Sequence, residues 1–139
     1  MDELQATTIP WDELIAIARQ TCSRAYAPYS RFAVGAAILS TSGRIFSGCN
    51  VENASYGLSI CAERNAAFQM VSHGDREIVA IMIYTPTTMP TAPCGACRQV
   101  LFEFGPRALI RSCCDGDTIL ETTVAELLPR AFGPNSLTE

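Results

Sequence analysis

Three cysteines and one glutamate carry the strongest chemical signal in this sequence of 139 residues. Cys61 stands two residues before Glu63, and a Pro-Cys-Gly-Ala-Cys segment about thirty residues later supplies Cys94 and Cys97. Three thiolates can hold a zinc ion tetrahedrally and leave one position open, which is typical of catalytic rather than structural sites. A carboxylate beside the first thiolate is then free to carry protons for a water at the open position. The spacing therefore predicts a catalytic zinc site.

The C-x-x-C pair by itself is compatible with other chemistry. It also occurs in closed four-ligand zinc knuckles, in redox pairs and in iron–sulfur sites. The chain has one histidine, His73, and its four other cysteines are Cys22, Cys49, Cys113 and Cys114. None of these forms a second C-x-x-C, and a redox pair would leave Cys61 and Glu63 without a role. We therefore favour the open zinc site.

The composition indicates one globular domain. The chain has the usual length of a single domain, and an apolar content of 48% is sufficient for a buried core. The apolar runs are too short to span a bilayer, and the acidic first residues do not look like a secretory signal. We therefore expect a cytoplasmic protein without a membrane partner. The net charge of −4 argues against nucleic acid, which is bound mainly through basic patches.

Apolar periodicity and turn residues predict the order α-β-β-α-β-α-β-β-α. The predicted helices are about 11–26, 62–72, 95–104 and 124–128, and the predicted strands are about 32–39, 45–50, 78–85, 108–114 and 118–121. Pro10 is placed at the first helical position and Pro28 after the end of the first helix. Alternation of strand and helix in the middle implies parallel neighbours, and the two hairpins are antiparallel. The prediction is an α/β fold with a mixed five-stranded sheet covered by helices.

Both cysteine segments are predicted where a loop becomes a helix. Cys61 and Cys94 fall at helix starts, where unpaired N–H groups and the helix dipole stabilise a thiolate. Three thiolates leave the zinc site with a net charge of −1, which makes the metal a weak activator of water. Arg64 is the favoured candidate to offset that charge by hydrogen bonding to sulfur. For Arg98 the same role and a surface position remain equally open.

The sequence resembles the cytidine deaminase family, in its small homotetrameric form with three cysteine ligands. The resemblance extends over residues 11–132, and the segments that carry it are 27–32, 34–37, 48–56, 61–64, 93–99 and 126–129. His73 lies ten residues past Glu63, so the first zinc ligand is expected to be Cys61. The resemblance implies a three-layer fold, one Zn²⁺ per chain, and a single deaminase domain over 1–139 with a flexible tail at about 133–139.

The resemblance also implies the reaction, which is hydrolytic deamination of cytidine and deoxycytidine to uridine and deoxyuridine in pyrimidine salvage. Glu63 would carry protons from water to N3 and to the leaving amine. The backbone N–H of Ala62 would hold the ring carbonyl, and Phe32 would pack against the base. Asn50 and Glu52 would hold the ribose hydroxyls.

The family also implies contacts between subunits. The loop with Ala54 and Tyr56, and the C-terminal aromatic residue Phe132, would reach into a neighbouring subunit's site. The expected partners are therefore a small nucleoside and three further copies of the chain.

Three rival functions share parts of this signal. A polynucleotide-editing deaminase would need a basic groove, and the chain has 10 basic against 14 acidic residues. A deaminase acting on a nucleoside-like antibiotic shares the metal motif, but the intact 50–56 segment favours cytidine. A non-catalytic zinc-stabilised binding module would have no need of Glu63 or of an open ligand position.

Overall fold

The computed structural model describes residues 9–138, and one five-stranded sheet lies at its centre. The helices are α1 (Trp11–Cys22), α2 (Ala62–Ser72), α3 (Gly95–Phe104) and α4 (Val124–Leu127). The strands are β1 (Gly35–Ser40), β2 (Ile45–Cys49), β3 (Ile78–Tyr84), β4 (Leu109–Cys113) and β5 (Leu120–Thr123). Short 3₁₀ helices span Tyr56–Leu58 and Pro134–Leu137. The predicted order of helices and strands is confirmed, and the two 3₁₀ helices are additional.

The sheet order is β2-β1-β3-β4-β5, and only β3 and β4 are parallel neighbours. The prediction that the strand–helix alternation makes parallel neighbours is therefore right for β3 and β4 and wrong for β2 and β3. The reason is that β1 pairs with both β2 and β3, so the connection through α2 passes over β1 before it enters β3. This crossing places the start of α2 near the start of α3, against which it packs.

The two largest boundary differences from the prediction, at the end of α1 and at the start of β1, arise because tertiary hydrogen bonds override local propensity. The first helix ends at Cys22 and does not continue to residue 26, because Tyr26 forms an isolated bridge with Val51. The amide of Tyr26 donates to the carbonyl of Asn50 at 3.0 Å. The first strand begins at Gly35 and not at residue 32, because the Asn50 side chain binds the backbone of the preceding segment.

The helices cover both faces of the sheet, as the predicted three-layer fold requires. Leu14 and Ala18 of α1 pack on one face, and Met70 of α2 and Leu101 of α3 pack on the other. The small residues of β1 were expected to allow a close neighbour. A Cβ added at Gly35 would lie 2.0 Å from the carbonyl oxygen of Ala18, so α1 touches the sheet backbone there. Within residues 9–138, no helix is long and apolar enough to cross a membrane.

Candidate active site

Three thiols converge where α2 and α3 begin. The Sγ atoms of Cys61 and Cys94 are 3.7 Å apart, those of Cys94 and Cys97 are 3.4 Å apart, and all three lie within 4.8 Å of one another. Tetrahedral zinc with Zn–S bonds of about 2.3 Å separates its sulfur ligands by about 3.8 Å. The cluster is therefore the right size for the ion, and none of its cysteines is in a disulfide.

Local structure explains why the thiols meet. Cys61 is the N-cap of α2 and Cys94 is the N-cap of α3, both with extended backbone angles, and Cys97 lies one turn further along on the side of Cys94. Cys97 is completely buried, whereas Cys94 is exposed. Each helix start contributes partial positive charge and free N–H groups to the same point. Both predicted helix starts are thus where the sequence placed them.

Glu63 is a buried carboxyl group in the first turn of α2. Its residue is only 5% exposed, and this burial raises the pKa of Glu63 to about 7. The Cys61 thiolate pushes the pKa of Glu63 in the same direction, while a backbone N–H and Arg64 oppose the shift. A carboxyl group in this range can both accept and release a proton near neutral pH.

The two arginines that follow the motif have different contacts. Nη2 of Arg64 donates to Sγ of Cys61 at 3.4 Å. A hydrogen bond from Cys97, and then one from Arg64, lowers the pKa of Cys61 to about 5, whereas the hydrogen bond to Cys61 and burial raise the pKa of Cys97. Arg98 instead donates to the carbonyls of Pro93 and Leu127, at 2.8 and 3.2 Å. The sequence left the role of Arg98 open, and these contacts give it a structural one.

Glu52 lies in a second region, a pocket of about 300 Å³ that it shares with Tyr29, Ser30, Tyr56 and Ser59. One carboxylate oxygen accepts from the backbone N–H groups of Tyr29 and Ser30 at 2.9 and 3.1 Å, and the other accepts from the Ser30 hydroxyl. The Ser30 hydroxyl contributes most to lowering the pKa of Glu52.

Asn50 is also engaged within its own chain. Its Oδ1 accepts from the backbone N–H of Val34 at 2.8 Å, and its Nδ2 donates to the carbonyl of Phe32 at 2.7 Å. The side chain therefore fixes the segment that carries Phe32. Phe32 itself is 40% exposed, so a large part of its ring is accessible.

The remaining predicted residues are divided between the two environments. Ala62, the first residue of α2, is completely buried beside Glu63. Ala54, Tyr56 and Phe132 are exposed, and for Tyr56 the exposed fraction is 74%. The structure thus brings together the thiols, Glu63 and Arg64, and it places Glu52 and Tyr56 around a separate pocket.

Two residues that contribute here were not singled out from the sequence. Tyr29 and Ser30 hold the Glu52 carboxylate, and they lie in the 27–32 segment that carried part of the resemblance. That segment was the available signal for them. A larger cavity of about 560 Å³ lies at the start of β3, among residues such as Arg76, Glu103 and Arg107. It contains no predicted site residue.

Comparisons with known proteins agree with this geometry. Residues 10–113 match the family described as the cytidine and deoxycytidylate deaminase zinc-binding region. The chain is 47% identical over 128 residues to a cytidine deaminase of Sporosarcina psychrophila, covering 91% of this chain and 93% of that protein. It is 51% identical over 121 residues to one from Halalkalibacterium halodurans, covering 86% of this chain and 91% of that protein. The crystal structure of a cytidine deaminase from Burkholderia pseudomallei matches with a TM-score of 0.85 at 45% identity, over 89% of this chain and 100% of that one.

Proposed function

The chain belongs to the cytidine and deoxycytidylate deaminase family, and on that premise we propose how its residues divide the reaction. It is a zinc-dependent hydrolase that converts cytidine to uridine and ammonia. The observation that carries this conclusion is the convergence of three Sγ atoms within 4.8 Å beside a buried carboxyl group. A second substrate, deoxycytidine, a place in pyrimidine salvage and a cytoplasmic location are proposed from the same family relationship.

We assign the metal to Cys61, Cys94 and Cys97, whose sulfur spacing suits zinc. When bound, zinc supplies Lewis-acid activation of the attacking water. Arg64 reduces the negative charge of the thiolate set through its hydrogen bond to Cys61, which keeps that activation effective.

Glu63 is the proposed proton carrier. It accepts a proton from the attacking water and delivers it to N3 of the ring, while the water oxygen forms its bond to C4. It then moves the second proton of that water to the amino group, the C4–N bond breaks, and ammonia leaves. The balance is one water consumed and one ammonia released, and Glu63 ends in its starting state. Its burial keeps bulk water away from these transfers.

The base is held next to Glu63 by a backbone group and an aromatic ring. Ala62 is the first residue of α2, so its N–H has no acceptor within the helix and is available to the ring carbonyl. Phe32 is fixed by Asn50 through its carbonyl and presents an accessible ring face to the base.

The ribose is assigned to Asn50 and Glu52, which retain hydrogen-bonding capacity after their bonds within the chain. An amide side chain has two N–H donors and two lone pairs, and Asn50 uses one of each. A carboxylate accepts about four hydrogen bonds, and Glu52 receives three. The free acceptor of Glu52 suits a ribose hydroxyl and repels a phosphate at the same place, which disfavours polynucleotide substrates.

We further propose a homotetramer in which the Ala54–Tyr56 loop and Phe132 complete a neighbour's site. The support is that Tyr56 and Phe132 expose 74% and 60% of their surface, although both lie next to segments that hold site residues. Light scattering should give four chains per particle, and a chain cut before Phe132 should lose activity. A fully active monomer would refute this part of the proposal.

The activity is tested by following the absorbance change on cytidine with the metal removed and restored. Turnover should stop with a chelator and return with added zinc, and deoxycytidine should also be converted. Free cytosine and a cytosine-containing oligonucleotide should react poorly. Glu63→Gln serves as the inactive control with the metal site intact. Undiminished turnover without zinc, or a preference for the oligonucleotide, would contradict the proposed function.

A further inference from the structure

The chain turns sharply after α4 and returns to α3. Arg130 has a φ of +54°, in the left-handed region that side chains other than glycine and asparagine seldom adopt. Such a conformation persists when surrounding contacts fix it, and it is frequent where geometry matters for function. The turn directs residues 131–133 along the surface of the helix that carries Cys97.

Two contacts fasten the returning segment to α3. Nε2 of Gln99 donates to the backbone carbonyl of Phe132 at 2.8 Å. One residue later, a Cβ added at Gly133 would lie 2.8 Å from Cε1 of Phe102, so only glycine allows the backbone to approach that ring unhindered. The backbone at Phe132 is thus held from both sides, by a hydrogen bond and by close packing.

The backbone of Phe132 is held in place, whereas its side chain is largely exposed. Its residue is 60% exposed, whereas its carbonyl is bonded to Gln99, which lies two residues after the ligand Cys97. Fixing the backbone of a large aromatic residue whose ring faces outward has little value for the core of its own chain. It does limit where the ring can go, which reduces the entropy lost when the ring packs against another surface.

We propose that Gln99 is a positioning residue that, with Gly133, sets the place of the Phe132 ring for the neighbouring subunit's substrate site. This inference rests on the proposed function, in which Phe132 completes that site. Gln99 acts through a backbone carbonyl, so its contribution does not depend on contact with substrate. The α3 helix then serves two sites, its own through Cys94 and Cys97 and the neighbour's through Gln99.

Replacement of Gln99 tests the proposal through a split between KM and kcat. Gln99→Glu keeps the shape but turns a donor into an acceptor that repels the Phe132 carbonyl. We expect KM for cytidine to rise about 2- to 10-fold, the range of one hydrogen bond, with kcat within about twofold because the metal and Glu63 are untouched. Gln69→Glu is the matched control, since it makes the same substitution at a glutamine whose side-chain oxygen accepts from the backbone N–H of Ser47, and it should leave KM unchanged.

Gly133 gives an independent variant with a built-in rescue. Gly133→Ala should raise KM in the same way, because its methyl group would meet Phe102. Adding Phe102→Leu removes the ring atom at 2.8 Å and should restore KM towards the unmodified value. Zinc content and melting temperature are measured for every variant, so that a folding defect is distinguished from a shifted ring.

Mixed tetramers show in which subunit Gln99 acts. Gln99→Glu chains are assembled with an excess of Glu63→Gln chains, whose own sites are silent but whose Phe132 is correctly placed. The active sites then belong to Gln99→Glu chains with mostly Glu63→Gln neighbours, and their KM should return towards normal. A KM that stays high in the mixture would place the effect within the same chain and overturn the proposal.

Phe132→Ala separates this inference from the function it rests on. If Phe132→Ala leaves KM unchanged, the proposed contact with the neighbour's site is wrong. If Phe132→Ala raises KM but neither Gln99→Glu nor Gly133→Ala does, the contact stands and the positioning role of Gln99 is wrong.

Discussion

The two regions assigned above, a metal half around Cys61, Glu63 and Cys97 and a proposed sugar half around Glu52 and Tyr56, are built in opposite ways. In the metal half, Cys97 and Glu63 are buried, and the three sulfur atoms already have zinc-like spacing within one chain. In the sugar half, Glu52 lies in an open pocket of about 300 Å³, and Tyr56 beside it is 74% exposed. The metal half is therefore assembled within a single chain, whereas the proposed sugar half keeps an exposed surface on which another chain could pack.

This difference follows what each half must do. Bond breaking at C4 needs ligands and a proton carrier in fixed places, and helix N-termini with buried first turns provide that rigidity. Holding a ribose, the role proposed for the second half, needs only complementary polar groups and exclusion of water, which a neighbouring chain would supply in the proposed tetramer. The four predictions below test the contrast, beginning with the largest expected effect.

Removal of a metal ligand should abolish the function of the metal half completely. Cys97→Ala leaves two thiolates, so zinc affinity should fall by more than the roughly 10–100-fold typical of losing an outer partner of a ligand. Competition with a chromogenic chelator measures this affinity. Cys113→Ala is the matched control, because Cys113 lies at the end of β4 and should not affect zinc. Full zinc occupancy in Cys97→Ala would mean that the ligand set is wrong.

Removal of the proton carrier should leave the metal in place. Glu63→Gln keeps the shape of the side chain, so zinc should remain bound while kcat falls by about 10²–10⁴-fold. Steady-state kinetics and elemental analysis on the same sample check both statements. If Glu63→Gln turned over cytidine at a near-normal rate, the proton would have to travel by another route.

The metal half was also the part best predicted from the sequence. Its signal is local, because Cys61-x-Glu63 and the C-x-x-C pair each sit on one helix start, and helix starts are predictable from nearby residues. The order of all strands and four helices followed from periodicity in the same way. No local pattern indicates that the two helix starts face each other. That expectation was based on the need of one zinc ion for all three thiolates.

The features that the sequence did not predict depend on distant partners. The end of α1 moved to Cys22 because Tyr26 pairs with a strand-like segment near Val51. Glu52 was predicted from the resemblance, but its intrachain partners Tyr29 and Ser30 were not, since more than twenty residues separate them. Hydrogen bonds between such distant positions have no periodic signature in the sequence.

The sugar half should respond to the loss of Glu52 in a substrate-dependent way. Glu52→Ala should lower kcat/KM for cytidine by about 5- to 150-fold, the equivalent of 1–3 kcal/mol, and should change the weak activity on cytosine little. Glu103→Ala is the control, because it also removes a carboxylate but one that lies in the cavity without predicted site residues. Equal kcat/KM for cytosine and cytidine in the unmodified enzyme would show that the sugar half makes no contact of value.

A third region tests whether lost stability alone could imitate these effects. Asp75 lies beyond the C-terminal end of α2, about 16 Å along that helix from Cys61. Its carboxylate accepts from the hydroxyls of Ser40 and Ser42 at 2.6 and 2.5 Å, and from Nε and Nη2 of Arg44 at 3.2 and 2.5 Å. These bonds connect the β1–β2 turn to the segment that precedes β3, which is remote from both halves of the site.

Asp75→Asn should therefore lower the melting temperature slightly without changing zinc affinity or KM. The Arg44 guanidinium holds the pKa of Asp75 well below its usual range. The bonds of the Asp75 carboxylate therefore stabilise the folded protein at pH values above the unfolded-state pKa of about 3.9, and this stabilisation is lost as the pH falls below that pKa. The melting temperatures of the variant and the unmodified enzyme should consequently differ most at neutral pH and converge in acid. A rise in KM for Asp75→Asn equal to that for Glu52→Ala would show that general destabilisation is sufficient, and the distinction between the two halves would then fail.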